Sequence, residues 1–395
     1  MLFRSSYQGL SREVWYLSFI TLINRAGTMV IPFLSLYLTK EKHYSLAQVG
    51  WIMSCFGLGS VLGSWIGGKL TDKIGYYKVM TGSLLLSSVL FVSLQYLDSF
   101  ASLCIGIFIL MCVADAFRPA MFVALNAYSK PENKTRSVTL IRLAINLGFA
   151  AGPAAGGLII TSIGYAGLFW IDGLSSLFAG LALLQLLHPK KARTIDDTVS
   201  LNSRSAYTDK HYWLFIAAMV LFGFVFLQYF STVPLFYKDV HFLSEAQIGL
   251  LIGLNGLIVF LLEMPMVHAI EKRNFSRVWL MIIGMILLGL SFLVLNLSGW
   301  VGILIVALVL MSIGEMLVFP FSNSFAMEYS KRGKRGEYMA LYSIAFSISH
   351  VFSHNAGMQS IHHFGFDIAW YGLVAISVIG IILLLRINSL IKKEN

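Results

Sequence analysis

Eight ionisable side chains stand inside long apolar runs: Arg25, Asp115, Arg118, Arg142, Glu263, Glu315, His350 and His354. A charge surrounded by low-dielectric material must pair, exchange a proton or bind a ligand, because leaving it bare is costly. The carboxyl groups of Glu263, Glu315 and Asp115 are therefore candidate proton carriers, with Glu315 or Glu263 ahead of Asp115. The arginines are candidate anion binders. Asp115 and Arg118 are three residues apart and share a helical face. Arg25 follows Asn24, and its expected partner is Asp115; a structural ion pair and a substrate-binding pair fit these residues equally well. The candidates up to residue 142 carry a net +2, and Glu263 with Glu315 carry −2, an asymmetry that suggests an anionic or zwitterionic ligand held by the first half. His350 and His354 are one turn apart, a spacing that could chelate a metal or relay protons. No carboxylate or cysteine adjoins them, so no metal is expected, and nothing in the chain calls for a cofactor. Cys55, Cys104 and Cys112 lack ligand spacing and are expected to pack.

The runs that hold these residues are membrane spans. The chain has 395 residues, 57% hydrophobic and 12% charged, with 34 glycines, and a mean hydropathy of +0.76. That composition indicates an integral membrane protein. Twelve apolar segments are read near 14–38, 46–67, 78–97, 100–127, 137–163, 166–187, 212–237, 245–268, 276–296, 300–328, 337–361 and 367–389. Each can cross about 30 Å of hydrocarbon as a helix. The first lacks a cleavable-leader pattern and is expected to stay. Of the 29 Lys and Arg, 23 fall at the termini and the loops on the same side, three on the opposite side and three within spans. This bias predicts a multi-pass protein of the cell (inner) membrane with both termini cytoplasmic. The net charge of +10 is thereby explained as topology, and no nucleic-acid partner is expected. A charge at mid-bilayer costs about 2.5–3.5 kcal/mol, so each one present needs a compensating reason.

The chain also repeats itself. Ala47, Gln48, Gly50, Gly57 and Asp72 find like residues 199 positions later in Ala246, Gln247, Gly249, Gly256 and Glu271, and Glu315 lies 200 positions after Asp115. Weak symmetry at half the chain length in an apolar protein points to a transporter built from two related halves. The expected organisation is a six-helix bundle over 1–187, a polar linker over 188–211 and a second six-helix bundle over 212–395. Basic turns at Gly75–Lys78 and Lys331–Gly336 are expected to anchor the same side of each half. Pro32 and Pro234 in the first span of each half, and Pro119 and Pro320 in the fourth, should bend their helices.

Twelve spans, a 6+6 repeat and the run Gly68-Lys69-Leu70-Thr71-Asp72-Lys73-Ile74-Gly75 together resemble the major facilitator superfamily, and within it the 12-helix drug:proton antiporters. The resemblance covers essentially the whole chain. Gly68, Leu70, Asp72, Lys73 and Gly75 match the family's loop motif, with Tyr76 and Tyr77 where a basic pair is usual. The resemblance implies that Asp72 docks at a helix end across the domain interface and helps gate the transporter; the plainer alternative is a turn aspartate that caps the third helix. Gly148-Phe149-Ala150-Ala151-Gly152-Pro153-Ala154-Ala155-Gly156-Gly157 is similar to the family's antiporter motif, which implies gating roles for Gly148, Gly152, Pro153, Gly156 and Gly157, with Arg142 earlier on the same span. Plain helix packing is the alternative. The family's fourth-helix Arg is absent, with Ile107 in its place. By resemblance the first, fourth, seventh and tenth helices line a central cavity, which makes Asn24, Arg25, Asp115, Arg118, Gln228, Tyr229, Glu315 and Asn323 candidate substrate contacts.

These observations predict an all-helical, monomeric secondary transporter in the lipid bilayer that works by alternating access. Proton-coupled efflux of a small organic molecule is expected, with proton-coupled import of a small anionic or zwitterionic solute as the alternative. An enzyme is not expected: the chain has no HExxH, no GxSxG and no extramembrane domain.

Overall fold

The computed structural model describes residues 10–130, 134–190, 205–271, 273, 275–297, 299–330 and 335–394. Hydrocarbon offers backbone amides no partner, so every apolar run pairs its own amides as helix. In chain order these are α1 (Arg12–Ala26), α2 (Val30–Leu36), α3 (Leu46–Ile74), α4 (Tyr76–Leu94), α5 (Phe100–Ala114), α6 (Phe117–Tyr128) and α7 (Lys134–Ile163). They continue with α8 (Ala166–Leu186), α9 (Lys210–Phe226), α10 (Val233–Asp239), α11 (Glu245–Glu271), α12 (Arg277–Leu295), α13 (Gly302–Tyr329) and α14 (Arg335–Glu394). Counted as continuous or nearly continuous apolar helices, the described residues hold 11 that are long enough to cross a membrane. The eleventh and twelfth expected segments run together in α14, whose backbone leaves helical geometry at Gly365 (φ 79°, ψ 175°).

Three of the expected spans are broken. The first is α1 plus α2, interrupted at Gly27–Met29; the fourth is α5 plus α6, interrupted at Asp115–Ala116; the seventh is α9 plus α10, joined by a tight turn over Leu227–Phe230. A proline follows each break within a few residues: Pro32, Pro119 and Pro234. Proline lacks the amide that would bond the carbonyl one turn back, so continuous helix is weakest there. Pro153, Pro265 and Pro320 behave differently and lie inside continuous helices; the bend expected at Pro320 is not accompanied by a break.

The described chain packs as two units. One comprises 1–44, 55–195 and 243–260, and the other 45–54, 196–242 and 261–395. Each unit thus takes the beginning of a helix, α11 or α3, from the other half of the sequence. Those two beginnings are the repeated segments. Both open with a reciprocal cap: the Ser45 amide donates to Gln48 Oε1 (3.1 Å) while the Gln48 amide donates to Ser45 Oγ (3.3 Å). Ser244 and Gln247 do the same at 2.9 and 3.3 Å. In the first unit the start of α11 lies against α7, with a Cβ at Gly256 falling 2.6 Å from the Ala150 amide nitrogen. Within the second unit, Ser54 donates to the Val351 carbonyl (3.2 Å) and Gln359 to the Ala47 carbonyl (3.3 Å).

Gly75 turns the chain from α3 into α4 at φ 88°, ψ 148°, and a Cβ there would meet no atom within 4 Å. The cost of a side chain is purely conformational, so Gly75→Ala is expected to destabilise by about 1–3 kcal/mol. The fall in thermal midpoint checks this. The basic turn at 331–334 and linker residues 191–204 lie outside the described residues. What is described of the linker is tied to its own unit at each end: Tyr76 exchanges hydrogen bonds with the backbone of Lys190 (2.7 and 2.9 Å), and Ser205 donates to Glu337 (2.5 Å).

Candidate functional site

Arg25 closes the last turn of α1, beside the break in the first span. Its guanidinium lies 5.8 Å from the centre of the Phe149 ring. Its Nε is buried without a hydrogen-bond partner, and no ion pair to a described residue reaches it. It is close enough to feel the charges of both Asp115 and Arg118. The expected Arg25–Asp115 ion pair is not formed. Asp115, at the break between α5 and α6, instead accepts a hydrogen bond from Ser60 of α3.

Glycines explain how Ser60 reaches Asp115. Gly59, Gly63 and Gly67 recur every four residues on α3 and face α5 and the start of α6. A Cβ at Gly63 would lie 2.8 Å from the Cys112 α-carbon, and one at Gly67 2.5 Å from that of Ala116. Arg118 and Asn323 are exposed, and Asn24 is half-buried.

The glycine face of α7 packs on the other side of Arg25. A Cβ at Gly148 would lie 2.5 Å from the Arg25 β-carbon, and one at Gly152 2.9 Å from the Ala26 carbonyl oxygen. Gly156 faces Met29 and Phe33, whereas Gly157, on the neighbouring face, abuts the backbone of Glu245 and Ala246 in α11. The run that resembles the antiporter motif therefore serves two close approaches: α7 on the break in the first span, and α7 on the beginning of α11. Arg142, half-buried on the same helix, has partners of its own.

Asp72 is exposed, with neither a hydrogen bond nor an ion pair to the described residues, and Lys73 is exposed as well. The cap of α4 is Gly75, with no side-chain hydrogen bond, so Asp72 does not cap that helix. Gly68 has open space around its α-carbon.

In the other unit Gln228 and Tyr229, expected to line a cavity, are buried, and their polar atoms bond within the protein. Gln228 donates to the Ser353 carbonyl at 2.6 Å and accepts from Thr232 at 2.9 Å, while a Cβ at Gly357 would collide with its amide. Gln228 therefore ties the turn between α9 and α10 to α14. The Tyr229 hydroxyl donates to the Ala307 carbonyl (3.3 Å). His350 and His354 flank Ser353 on α14, with ring centres 5.7 Å apart. Among the described residues no third His, Cys, Asp or Glu joins them. Glu263 is buried on α11 and Glu315 half-buried on α13; both make interactions inside the protein.

Two groups of functional interest were not assigned from the sequence. Ser60 is one of many hydroxyl positions in the apolar helices and carries no signal of its own. Asp172 did carry one, as the lone charge of the sixth span; it is wholly buried and accepts hydrogen bonds from the amides of Met29 (2.9 and 3.0 Å) and Val30 (2.9 Å).

Broken helices beside isolated charges, in a chain with two repeated halves, are the architecture of a secondary transporter. A model of the Major Facilitator Superfamily matches residues 15–273 and 241–394. The chain belongs to the major facilitator superfamily. It is 26% identical over 347 residues to YqjV, an MFS-type transporter of Bacillus subtilis (strain 168), covering 84% of this chain and 82% of that one. It is 23% identical over 359 residues to a Na(+), Li(+), K(+)/H(+) antiporter of Planococcus maritimus, covering 82% and 84%. Its fold is shared with a POT family transporter crystallised with 5-aminolevulinic acid, at a TM-score of 0.78 and 14% identity, covering 97% and 96%. Family and fold are those of multi-pass membrane transporters.

Proposed function

We propose that this superfamily member is a proton-coupled antiporter that exports a small organic molecule bearing a negative group by alternating access. The observation that carries the reading is Arg25. A guanidinium beside a helix break, with a buried Nε that has no partner and Asp115 engaged by Ser60, is available to a carboxylate, sulfonate or phosphate on a substrate. The glycine face of α7 and the antiporter relative support exchange over uniport. In this reading Glu315 and Glu263 are the proton-carrying carboxyls, with Asp115 next and His350 and His354 as relay groups. The halves 1–187 and 212–395 rock about the linker, the protein works as a monomer in the cell membrane, and both termini are cytoplasmic.

The repeated segments at the starts of α3 and α11 are the contacts that part and re-form in each cycle. Gly68, Asp72, Lys73 and Gly75 form the gate at the opposite end, where an exposed Asp72 is free to engage.

Proton release or uptake by the detergent-purified protein tests the reading when benzoate, ethidium, a fluoroquinolone zwitterion and sodium are added in turn. An anionic or zwitterionic compound should give a proton shift that Glu315→Gln or Asp115→Asn abolishes. A shift with sodium alone would replace the organic substrate by a cation, and binding of benzoate with no proton shift would overturn the coupling. Import of the same class of molecule is the second reading, favoured by the same unpartnered Arg25. Resistance on overexpression supports export, and intracellular accumulation supports import.

A further inference from the structure

The break in the first span is held from two sides. The Gly27 amide donates to the Ile23 carbonyl (2.9 Å), the Thr28 amide to that of Arg25 (3.2 Å), and the Thr28 hydroxyl to that of Asn24 (2.8 Å). The next two amides, Met29 and Val30, have left the helix and have no carbonyl one turn back. An orphaned amide in the membrane interior is costly. Both are satisfied by the carboxylate of Asp172, which comes from α8 and is 143 and 142 residues away in sequence. Approach of α8 is possible because position 27 is glycine: a Cβ there would overlap Ser175, one turn after Asp172. On the opposite side Gly148 and Gly152 bring α7 against Arg25 and Ala26. No cation among the described residues pairs with Asp172, and the partners of its side-chain oxygens are these backbone amides.

We propose that Asp172 is a positioning residue for the binding site: its carboxylate caps the break in the first span from outside and thereby fixes where Arg25 is presented. The proposal rests on the reading of Arg25 as a substrate contact, but the cap itself does not. A carboxylate supplies enough acceptor positions for two diverging amides, which a backbone carbonyl in a continuous helix cannot do. Without the cap, the amides of Met29 and Val30 lose their acceptor and the break opens to water. Arg25 sits four residues before the first capped amide, so it turns as the break opens.

Two readouts on the full-length protein in lipid nanodiscs test this without any substrate. The first is hydrogen–deuterium exchange of peptides covering 27–33. In Asp172→Leu their exchange should rise about tenfold relative to the native protein, while peptides from α12 and α13 stay unchanged, as expected for local opening. The second is labelling of arginines by phenylglyoxal, followed peptide by peptide, with exposed Arg118 as internal control. Arg25 should react several-fold differently in Asp172→Leu, and Arg118 at its native rate. Asp172→Asn keeps the volume and one carbonyl acceptor, and should fall between native and Asp172→Leu on both readouts. It carries the test if the leucine variant does not fold. Unchanged exchange at 27–33 would overturn the cap. Raised exchange with unchanged Arg25 labelling would overturn the positioning role, and a uniform rise across all helices would reduce Asp172 to general packing. Because neither readout involves a transported compound, failure of the transport reading leaves both interpretable.

Discussion

Replacing Arg25 by alanine is expected to weaken binding of an anionic or zwitterionic compound about 100-fold. A charge-assisted hydrogen bond in a largely desolvated site is worth about 2–5 kcal/mol when one partner is removed, and each 1.4 kcal/mol is a factor of ten. The variant is a clean one. Alanine keeps the β-carbon that faces Gly148, so the approach of α7 to the break is preserved. The aromatic contact to Phe149 is lost at 5.8 Å, a minor term. Isothermal titration with benzoate, and with a neutral compound as control, checks the prediction. Loss for the anion and not for the neutral compound is the expected pattern, and equal affinity of native and variant protein for the anion would remove Arg25 from the site. Arg25→Lys should recover only part of the loss, because a point charge lacks the planar fork that pairs with a carboxylate.

Gly249→Leu is expected to destabilise the protein and impair transport together. A Cβ at Gly249 would overlap the carbonyl oxygen of Pro153, and the α-carbon of Gly157 is 3.1 Å away. These are backbone atoms of α7, so no rotamer change can relieve the collision and the helices must separate. Overpacking of this kind costs typically about 1–3 kcal/mol, and a backbone-to-backbone approach belongs at the upper end. The thermal midpoint should fall, and transport should fall with it, because this is one of the contacts proposed to re-form in every cycle. Gly82→Ala provides the control: a Cβ there meets nothing within 4 Å, and the change should be within about 0.5 kcal/mol of neutral. A native midpoint for Gly249→Leu would show that α7 and α11 are not in close contact.

The family and the helical fold were legible because hydropathy and loop charge act locally, and the loop run from Gly68 to Gly75 is continuous in sequence. The repeat was legible as a spacing of 199, and its meaning was not. Only the folded chain shows that Ser45 with Gln48 and Ser244 with Gln247 are matching caps, and that Gly249 meets α7 while Gly50 meets α14, where a Cβ would lie 3.3 Å from the Asn355 α-carbon. Residue type makes Gln228 a polar side chain in a cavity-lining helix, and only the folded chain shows that its amide bonds to the Ser353 carbonyl and the Thr232 hydroxyl.

By itself, the amino-acid sequence determined that this protein lies in a membrane, where its helices run, which residues carry isolated charges and where proline weakens the helical spans, since each of these depends on a residue and its near neighbours. Tertiary structure decided who meets whom: Asp115 with Ser60 rather than Arg25, Asp172 with the amides of Met29 and Val30, and Gly157 with the start of α11. Those pairings join residues from 55 to 143 positions apart, and they depend on how closely helices approach. Closeness is set by glycines, which have no side chain to announce their partner, and the bonds made there end on backbone groups that every residue carries.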